Sequence, residues 1–319
     1  MAPDILQEQL SVENKASMQA SRVPNVCICI CTYKRPDILG RLLDALKVQK
    51  TEGRFTCSIL VVDNDKHESG KSTVERFASE NSVSVKYLVE QRQNIALARN
   101  KAVANAEGEY LAFIDDDEIP PPSWLLTLFC ARERFNADGA LGPVKPQFDN
   151  TPPDWIIDGK FYERRSYPTG FVIDGPKGRT GNVILKKSIF DYPDPPFRPE
   201  FITGEDQDFF RRMIEKGHVF IWCDEAVAYE VIPPVRWSRR FMLKRALLRG
   251  EITLLHPSFG AREILKSVVA VPLYAILAPL ALSGGQGKCM LCLVKMCDHL
   301  GKLLALVGIH PVKRAYVTE

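Results

Sequence analysis

An apolar run at residues 110–114, Tyr-Leu-Ala-Phe-Ile, empties directly into Asp115, Asp116 and Asp117. Such a run is a buried strand, and three adjacent carboxylates at its mouth need water or a cation to meet them. In an open α/β sheet, ligands collect outside the carboxyl ends of the strands. Hard oxygen ligands in that place suit Mg2+ or Mn2+ carrying a phosphate. The alternative is a solvated acidic turn, because Asp is common in loops.

The elements around this run decide between the two. Residues 26–31 read as a buried strand, and Pro36 then opens a helix with Ile38, Leu39, Leu42, Leu43 and Leu46 at helical spacing. A second strand at 58–62 ends in Asp63-Asn64-Asp65, and a helix-like stretch at 72–80 follows. A third strand at 83–89 leads into a helix beginning near residues 93–100 and then into the strand at Tyr110. Alternating strands and helices predict a mostly parallel sheet with helices on both faces. In such a sheet Thr32, residues 63–65 and residues 115–117 converge on one edge, which favours a metal site, although Asp63 beside Asn64 and Asp65 also reads as a turn former. Residues 136–200, rich in Pro, Gly and aromatics, read as a loop-rich substrate region. Thr203 as N-cap and Gly217 just past the end then bracket a helix, whose Glu205, Asp206 and Asp208 can also be read as compensating its positive N-terminus.

Composition removes several classes. A net charge of +3 and the lack of a basic tract with interleaved aromatics give no sign of nucleic acid as a partner. Residues 1–22 are polar, without the features of a secretory signal, and read as a mobile leader on a cytosolic protein. Cys27, Cys29 and Cys31 alternate on one strand face, where they pack rather than bridge. Cys289, Cys292, Cys297 and His299 could be written as a zinc quartet, but they stand among apolar residues of a helix and read as structural thiols.

The order of motifs resembles that of the family 2 glycosyltransferases of the GT-A fold, over about residues 25–249. The resemblance rests on residues 31–36, on Val61-Val62-Asp63-Asn64, on residues 94–100, on Asp115 to Asp117, on Gly181-Asn182 and on Glu205-Asp206. It implies that Thr32 and the loop to Arg35 border the nucleotide and that Asp63 reads the base or ribose. It further implies that Asp115 lies toward the nucleoside, with Asp116 beside it, while Asp117 holds the divalent metal on the diphosphate. Arg99 matches the arginine of the Asn-x-x-x-x-Arg-Asn pattern. Asp206 matches the residue assigned as catalytic base, with Glu205 the other candidate and Asp208 a third of more structural character. The metal and arginines would neutralise charge on the departing nucleoside diphosphate, while a carboxylate deprotonates the acceptor hydroxyl. The implied enzyme is inverting and metal-dependent, moving a sugar from a nucleotide donor, UDP-sugar first, to a glycan that can be lipid-linked, as in exopolysaccharide or surface-glycan assembly. A sugar nucleotidyltransferase would want a Gly-rich phosphate loop, absent from residues 32–36, and a non-catalytic glycan-binding scaffold would not need the acidic residues that are present.

Beyond residue 235 the chain turns basic. Arg236, Arg240 and Lys244 at spacing of four suggest one helical face for a diphosphate, a lipid-linked pyrophosphate or head groups. Related synthases carry an Arg-Trp pair near the active site, which adds Arg236 and Trp237 to the expected site. The chain divides on this reading into a leader at 1–22, a catalytic domain at 23–250 and a helical segment at 251–319. No charge occurs from Ser267 through Gly287, but the apolar part, 268–282, is shorter than the ~20 residues of a spanning helix and holds Pro272 and Pro279. Lys288, Lys295 and Lys302 recur every seventh residue on an otherwise apolar helix, the pattern of a helix lying in a membrane interface. Packing on the catalytic domain and a full span are the alternatives to a monotopic enzyme at the cytoplasmic membrane face.

Overall fold

The computed structural model describes residues 23–201, 204–254 and 259–312. The expected leader at 1–22 and the expected N-cap Thr203 lie outside the described residues.

The chain opens with β1 (Asn25–Thr32), α1 (Pro36–Leu46), β2 (Thr56–Asp63), α2 (Lys71–Glu80), β3 (Val85–Val89), α3 (Ile95–Asn105) and β4 (Tyr110–Phe113). These strands pair in parallel in the order β3-β2-β1-β4, so Thr32 lies level with Asp63, and Cys29 level with Phe113 just before the acidic run. Alternation along β1 supplies both faces of the sheet. Ile28 and Ile30 pack with Leu39 and Leu42 of α1, while Cys27 and Cys29 pack with Ala96 and Ala98 of α3. Alanine at these positions lets α3 lie close to the strands, since it places little bulk between backbone and sheet.

After β5 (Glu118–Ile119) and α4 (Trp124–Arg134) come β6 (Gly139–Leu141), β7 (Val144–Gln147), the short α5 (Asp154–Asp158) and β8 (Val183–Lys186). β8 runs antiparallel between β4 and β6, so the seven-stranded sheet is mixed, with β9 (Phe220–Trp222) parallel to β6 at its edge. α6 (Glu205–Glu215) begins after Gly204, which stands at φ 85° in the N-cap position. A second sheet, β5-β10-β7, forms when β10 (Ala228–Val231) pairs antiparallel with β5 and parallel with β7. It sets Glu118 directly opposite Glu230.

Three helices finish the described chain: α7 (Arg239–Thr253), α8 (Ala261–Ala281) and α9 (Gln286–Leu306). The expected division at residue 250 falls inside α7. The three-residue-per-turn stretch Pro234–Trp237 precedes α7, and Ser238 between them is extended, so Arg236 does not share a helical face with Arg240 and Lys244 as the spacing of four suggested.

Of Lys288, Lys295 and Lys302, expected on one face of a helix lying in an interface, the first two are exposed and the third is not. α9 packs against both α7 and α8, and Lys302, only 12% exposed, donates to Glu263 at 3.2 Å. The reason is close packing that the periodicity of α9 alone does not show. A Cβ on Gly250 would stand 2.0 Å from the Asp298 carbonyl oxygen, and one on Gly301 would stand 2.1 Å from that of Leu247. Arg249 clasps Asp298 with two bonds of 2.8 and 2.6 Å. Beneath this layer Met242, Met290, Val294 and Cys297 join Trp155, Ile156 and Tyr162 in one apolar cluster.

Because backbone fills the space at that crossing, Gly301→Val should cost roughly 1–3 kcal/mol of stability. Thermal unfolding followed by circular dichroism measures this, and an unchanged midpoint would show that the crossing of α7 and α9 does not bear on the fold.

Candidate active site

The strand tips bring the acidic run against the loop after β1. That loop turns at Lys34, which adopts φ 54°, and carries Arg35 back over the tips. The Thr32 hydroxyl donates to Asp116 Oδ2 at 2.8 Å, and Arg35 Nη1 lies 3.1 Å from both Asp116 Oδ1 and Asp117 Oδ2. Asp116 is therefore held inward, and burial pushes its carboxyl up to about 6 against the pull of Arg35. Asp115 turns to Arg99, whose Nη2 stands 3.3 Å from its Oδ1.

The motif at residues 94–100 is divided by task. Asn94 caps α3, accepting from the backbone N–H of Ala96 and Leu97. Asn100 bonds both backbone polar groups of Phe197, at 2.7 and 2.9 Å, and so ties the loop-rich region to α3. Arg99, between them, is buried and spans the site, pairing with Glu205 on one side and Asp115 on the other. Burial lifts the Glu205 carboxyl to about 7, with Arg99 opposing the rise. Beside it Asp206 is half-buried and, among the described residues, makes one hydrogen bond, accepting from the N–H of Gln207 at 2.7 Å. Asp208 is 5% exposed and accepts from Arg211 and Arg212 at 2.8 Å, so it stiffens α6 instead of facing the site.

Asp63 is fully buried and pairs with Thr32 across the β1–β2 ladder, but among the described residues its side chain makes no hydrogen bond or ion pair with this cluster. It accepts from the N–H groups of Asp65 and Gly70 and from the Tyr87 hydroxyl, at 2.9, 2.7 and 2.8 Å, which fixes the loop after β2. Arg236 belongs to the cluster, with Nη2 3.2 Å from Asp117 Oδ2 and Nη1 3.1 Å from Glu230 Oε1. Trp237 does not: it packs edge-on to Phe148, within the apolar cluster under α7 and α9.

Three residues of the site were not foreseen. Glu230 takes Arg236 on one oxygen and Arg164 on the other. Glu118 is 1% exposed, its Oε1 has no hydrogen-bond partner among the described residues, and burial holds its carboxyl well above the usual range. The signal for the glutamates was a charged residue at a buried position of each short strand. Arg164 sits among loops and had no periodic signal. Gly181, part of the resemblance, has a physical reason here, since a Cβ would stand 2.7 Å from Glu118 Oε1 and 2.9 Å from Asp115 Oδ2.

The donors at the tips are hard carboxylate oxygens, and the unpartnered Glu118 Oε1 is an orphaned buried acceptor among them, so the residues fit Mg2+ or Mn2+ in kind. Among the described residues, no three carboxylate, His or Cys groups stand close enough to hold an ion together, and Arg35 and Arg236 both pair with Asp117 Oδ2. A cation there would take a place that arginines now hold.

The mixed sheet, the acidic tip after its fourth strand and the carboxylate pair at the head of α6 are the arrangement expected of a glycosyltransferase of the GT-A fold. The fold is similar to that of the mannosyltransferase PcManGT from Pyrobaculum calidifontis, solved with GDP-Man and Mn2+ (TM-score 0.62, 16% identity, 91% of this chain and 89% of that one). It is also similar to S. aureus TarS 1-349 in complex with UDP (TM-score 0.52, 15% identity, 90% and 93%). In sequence, the chain is 30% identical over 229 residues to the succinoglycan biosynthesis protein ExoM of Rhizobium meliloti (strain 1021), covering 71% of this chain and 73% of ExoM. The profile of Glycosyl transferase family 2 matches residues 27–188. The chain belongs to glycosyl transferase family 2, which sets aside the nucleotidyltransferase and the scaffold.

Gly181→Ala should push the Glu118 and Asp115 carboxylates apart and lower turnover roughly tenfold or more, with an unchanged circular dichroism spectrum. Turnover read as nucleotide release from a donor sugar tests this; a variant as active as the parent would show that those two carboxylates need not be held where they are.

Proposed function

We propose that the enzyme transfers a glycosyl group from a nucleoside diphosphate sugar, UDP-sugar first, to a hydroxyl of a glycan acceptor with inversion at the anomeric carbon. The observation that carries this reading is Arg99, which ties Asp115 at the strand tips to Glu205 at the head of α6, the chain neighbour of Asp206. The TarS relative solved with UDP supports the nucleotide, and ExoM, named for succinoglycan biosynthesis, supports a polysaccharide acceptor. A poly(ribitol-phosphate) beta-glucosyltransferase of Bacillus spizizenii, 26% identical over 58% of this chain, supports a surface glycan as well; the chain spans 28% of that relative.

On this reading Asp206 takes the proton of the acceptor hydroxyl as its oxygen bonds to the anomeric carbon. The bond from that carbon to the diphosphate oxygen breaks, and the leaving nucleoside diphosphate takes the electron pair. Arg35 and Arg236 face the charge that develops there, with Arg164 close behind through Glu230. Mg2+ or Mn2+ on Asp117, with Asp115 near, would add positive charge against the same diphosphate. Glu205 holds Arg99 in line and is a positioning residue. Thr32 keeps Asp116 turned inward. We place the enzyme in the cytoplasm, a reducing compartment in which its nine cysteines would stay thiols.

Asp206→Asn should lower transfer by roughly 10²–10⁴-fold while UDP binding, followed by calorimetry, stays near that of the parent; normal transfer would remove Asp206 as the base. Asp117→Ala should lose the gain in UDP affinity that Mn2+ brings. Equal Mn2+-dependent binding by that variant would remove the metal role.

A further inference from the structure

The surface of α8 has no use in glycosyl transfer. Ser267, Ala270 and Ala278 form a narrow stripe of buried, mostly small residues on this helix. Around roughly half of the circumference, taking 100° per residue, the side chains are bare. Leu265, Val269, Leu273, Ile276 and Leu280 stand between 48% and 67% exposed. A soluble protein does not leave so many large apolar side chains together in water without a partner for them.

Two observations name the partner. Arg262 and Lys266 lie on the same stripe as Val269, Leu273, Ile276 and Leu280, at spacings of three and four, and both cations are exposed. Lys295 and Lys288 on α9 are exposed as well, and the ammonium of Lys295 stands 5.8 Å from the ring centre of Tyr274 on α8. The one acid of α8, Glu263, is neutralised by Lys302 and Lys266. An apolar face bordered by lysine and arginine is complementary to a layer of anionic lipid head groups over acyl chains.

Residues 261–284 are long and apolar enough to cross a membrane. Polar contacts along the helix oppose a crossing. Glu263 holds Lys302 at 3.2 Å, Ser267 Oγ lies 2.9 Å from His299 Nδ1, and Tyr274 meets Lys295. These strap α8 lengthwise onto α9, which is itself packed on α7, and a spanning α8 would carry them into hydrocarbon. We infer that the enzyme docks on an anionic bilayer through the bare face of α8, which lies flat in the interface while its inner stripe stays on α9. The same helical layer reaches the catalytic site through Trp237 and through Tyr162, whose hydroxyl donates to the Arg236 carbonyl at 2.7 Å. Docking there fixes how the acceptor side of the site faces the membrane.

The test is flotation of the full chain with vesicles of phosphatidylcholine alone and of phosphatidylcholine with phosphatidylglycerol. The parent should float with the anionic vesicles and far less with the neutral ones. The double variant Ile276→Glu, Leu280→Glu, changed only at exposed positions, should lose binding roughly tenfold or more while still releasing UDP from a donor sugar at the parent rate. Arg262→Ala with Lys266→Ala should weaken binding to the anionic vesicles only, which keeps the test open if the glutamates disturb folding. A parent that stays with the protein fraction would overturn the inference, as would a double variant that floats like the parent. A parent dimer in solution that the glutamates split into monomers would assign the face to a second copy of the chain and overturn it too.

Discussion

Carboxylates gathered in one place out of water repel each other and lose hydration, and the catalytic half of this molecule is arranged around that cost. Asp115, Asp116, Asp117, Glu118, Glu205 and Glu230 meet at the strand tips, with Arg35, Arg99, Arg164 and Arg236 threaded among them. The acids outnumber the arginines, and burial answers the excess by raising the carboxyls of Asp116, Glu118 and Glu205. Such a cluster favours any cation that replaces those protons. Each arginine reaches the tips from a different element, so the loop after β1, α3, the loop-rich region and the turn after β10 are all tied to one point.

The second sheet has its role in the same terms. Pairing β5 with β10 sets Glu118 opposite Glu230, an arrangement that like charges disfavour on an antiparallel pair. Arg164 and Arg236 on Glu230 relieve it, and the Arg236 guanidinium then reaches Asp117. Immediately after Arg236 the chain enters the apolar cluster with Trp237, and from there α7 and α9 carry α8 at the outer surface. The charged site and the apolar layer are thus consecutive along the chain, joined within two residues.

Much of the catalytic half was legible beforehand because its signals are local. The alternation at β1, the helical repeat of α1 and the acidic run after β4 each declare an element within a few residues, and the convergence of Thr32 with residues 115–117 follows once the strands are parallel. Arg99 was legible by resemblance, although its bridge between Asp115 and Glu205 was not. The C-terminal helices are where local pattern and packing disagree. Lysines every seventh residue in α9 looked like the wet side of an interfacial helix, whereas Lys302 is turned onto Glu263 of a neighbouring helix. Prolines at 272 and 279 shortened the apparent apolar stretch, but both lie within a continuous α8.

The amino-acid sequence by itself determined the parallel strand and helix units, the acidic tips and the Glu-Asp pair at the head of α6, since each depends on the polarity and spacing of near neighbours. Only the tertiary structure decided which carboxylates are paired, that Trp237 faces the helical layer, that Arg164, Glu118 and Glu230 belong to the site, and which C-terminal helix is left bare. Those outcomes depend on pairing between segments far apart in the chain, such as β5 with β10 and α7 with α9, where glycines and buried charges select one approach among many and leave no periodic trace in the sequence.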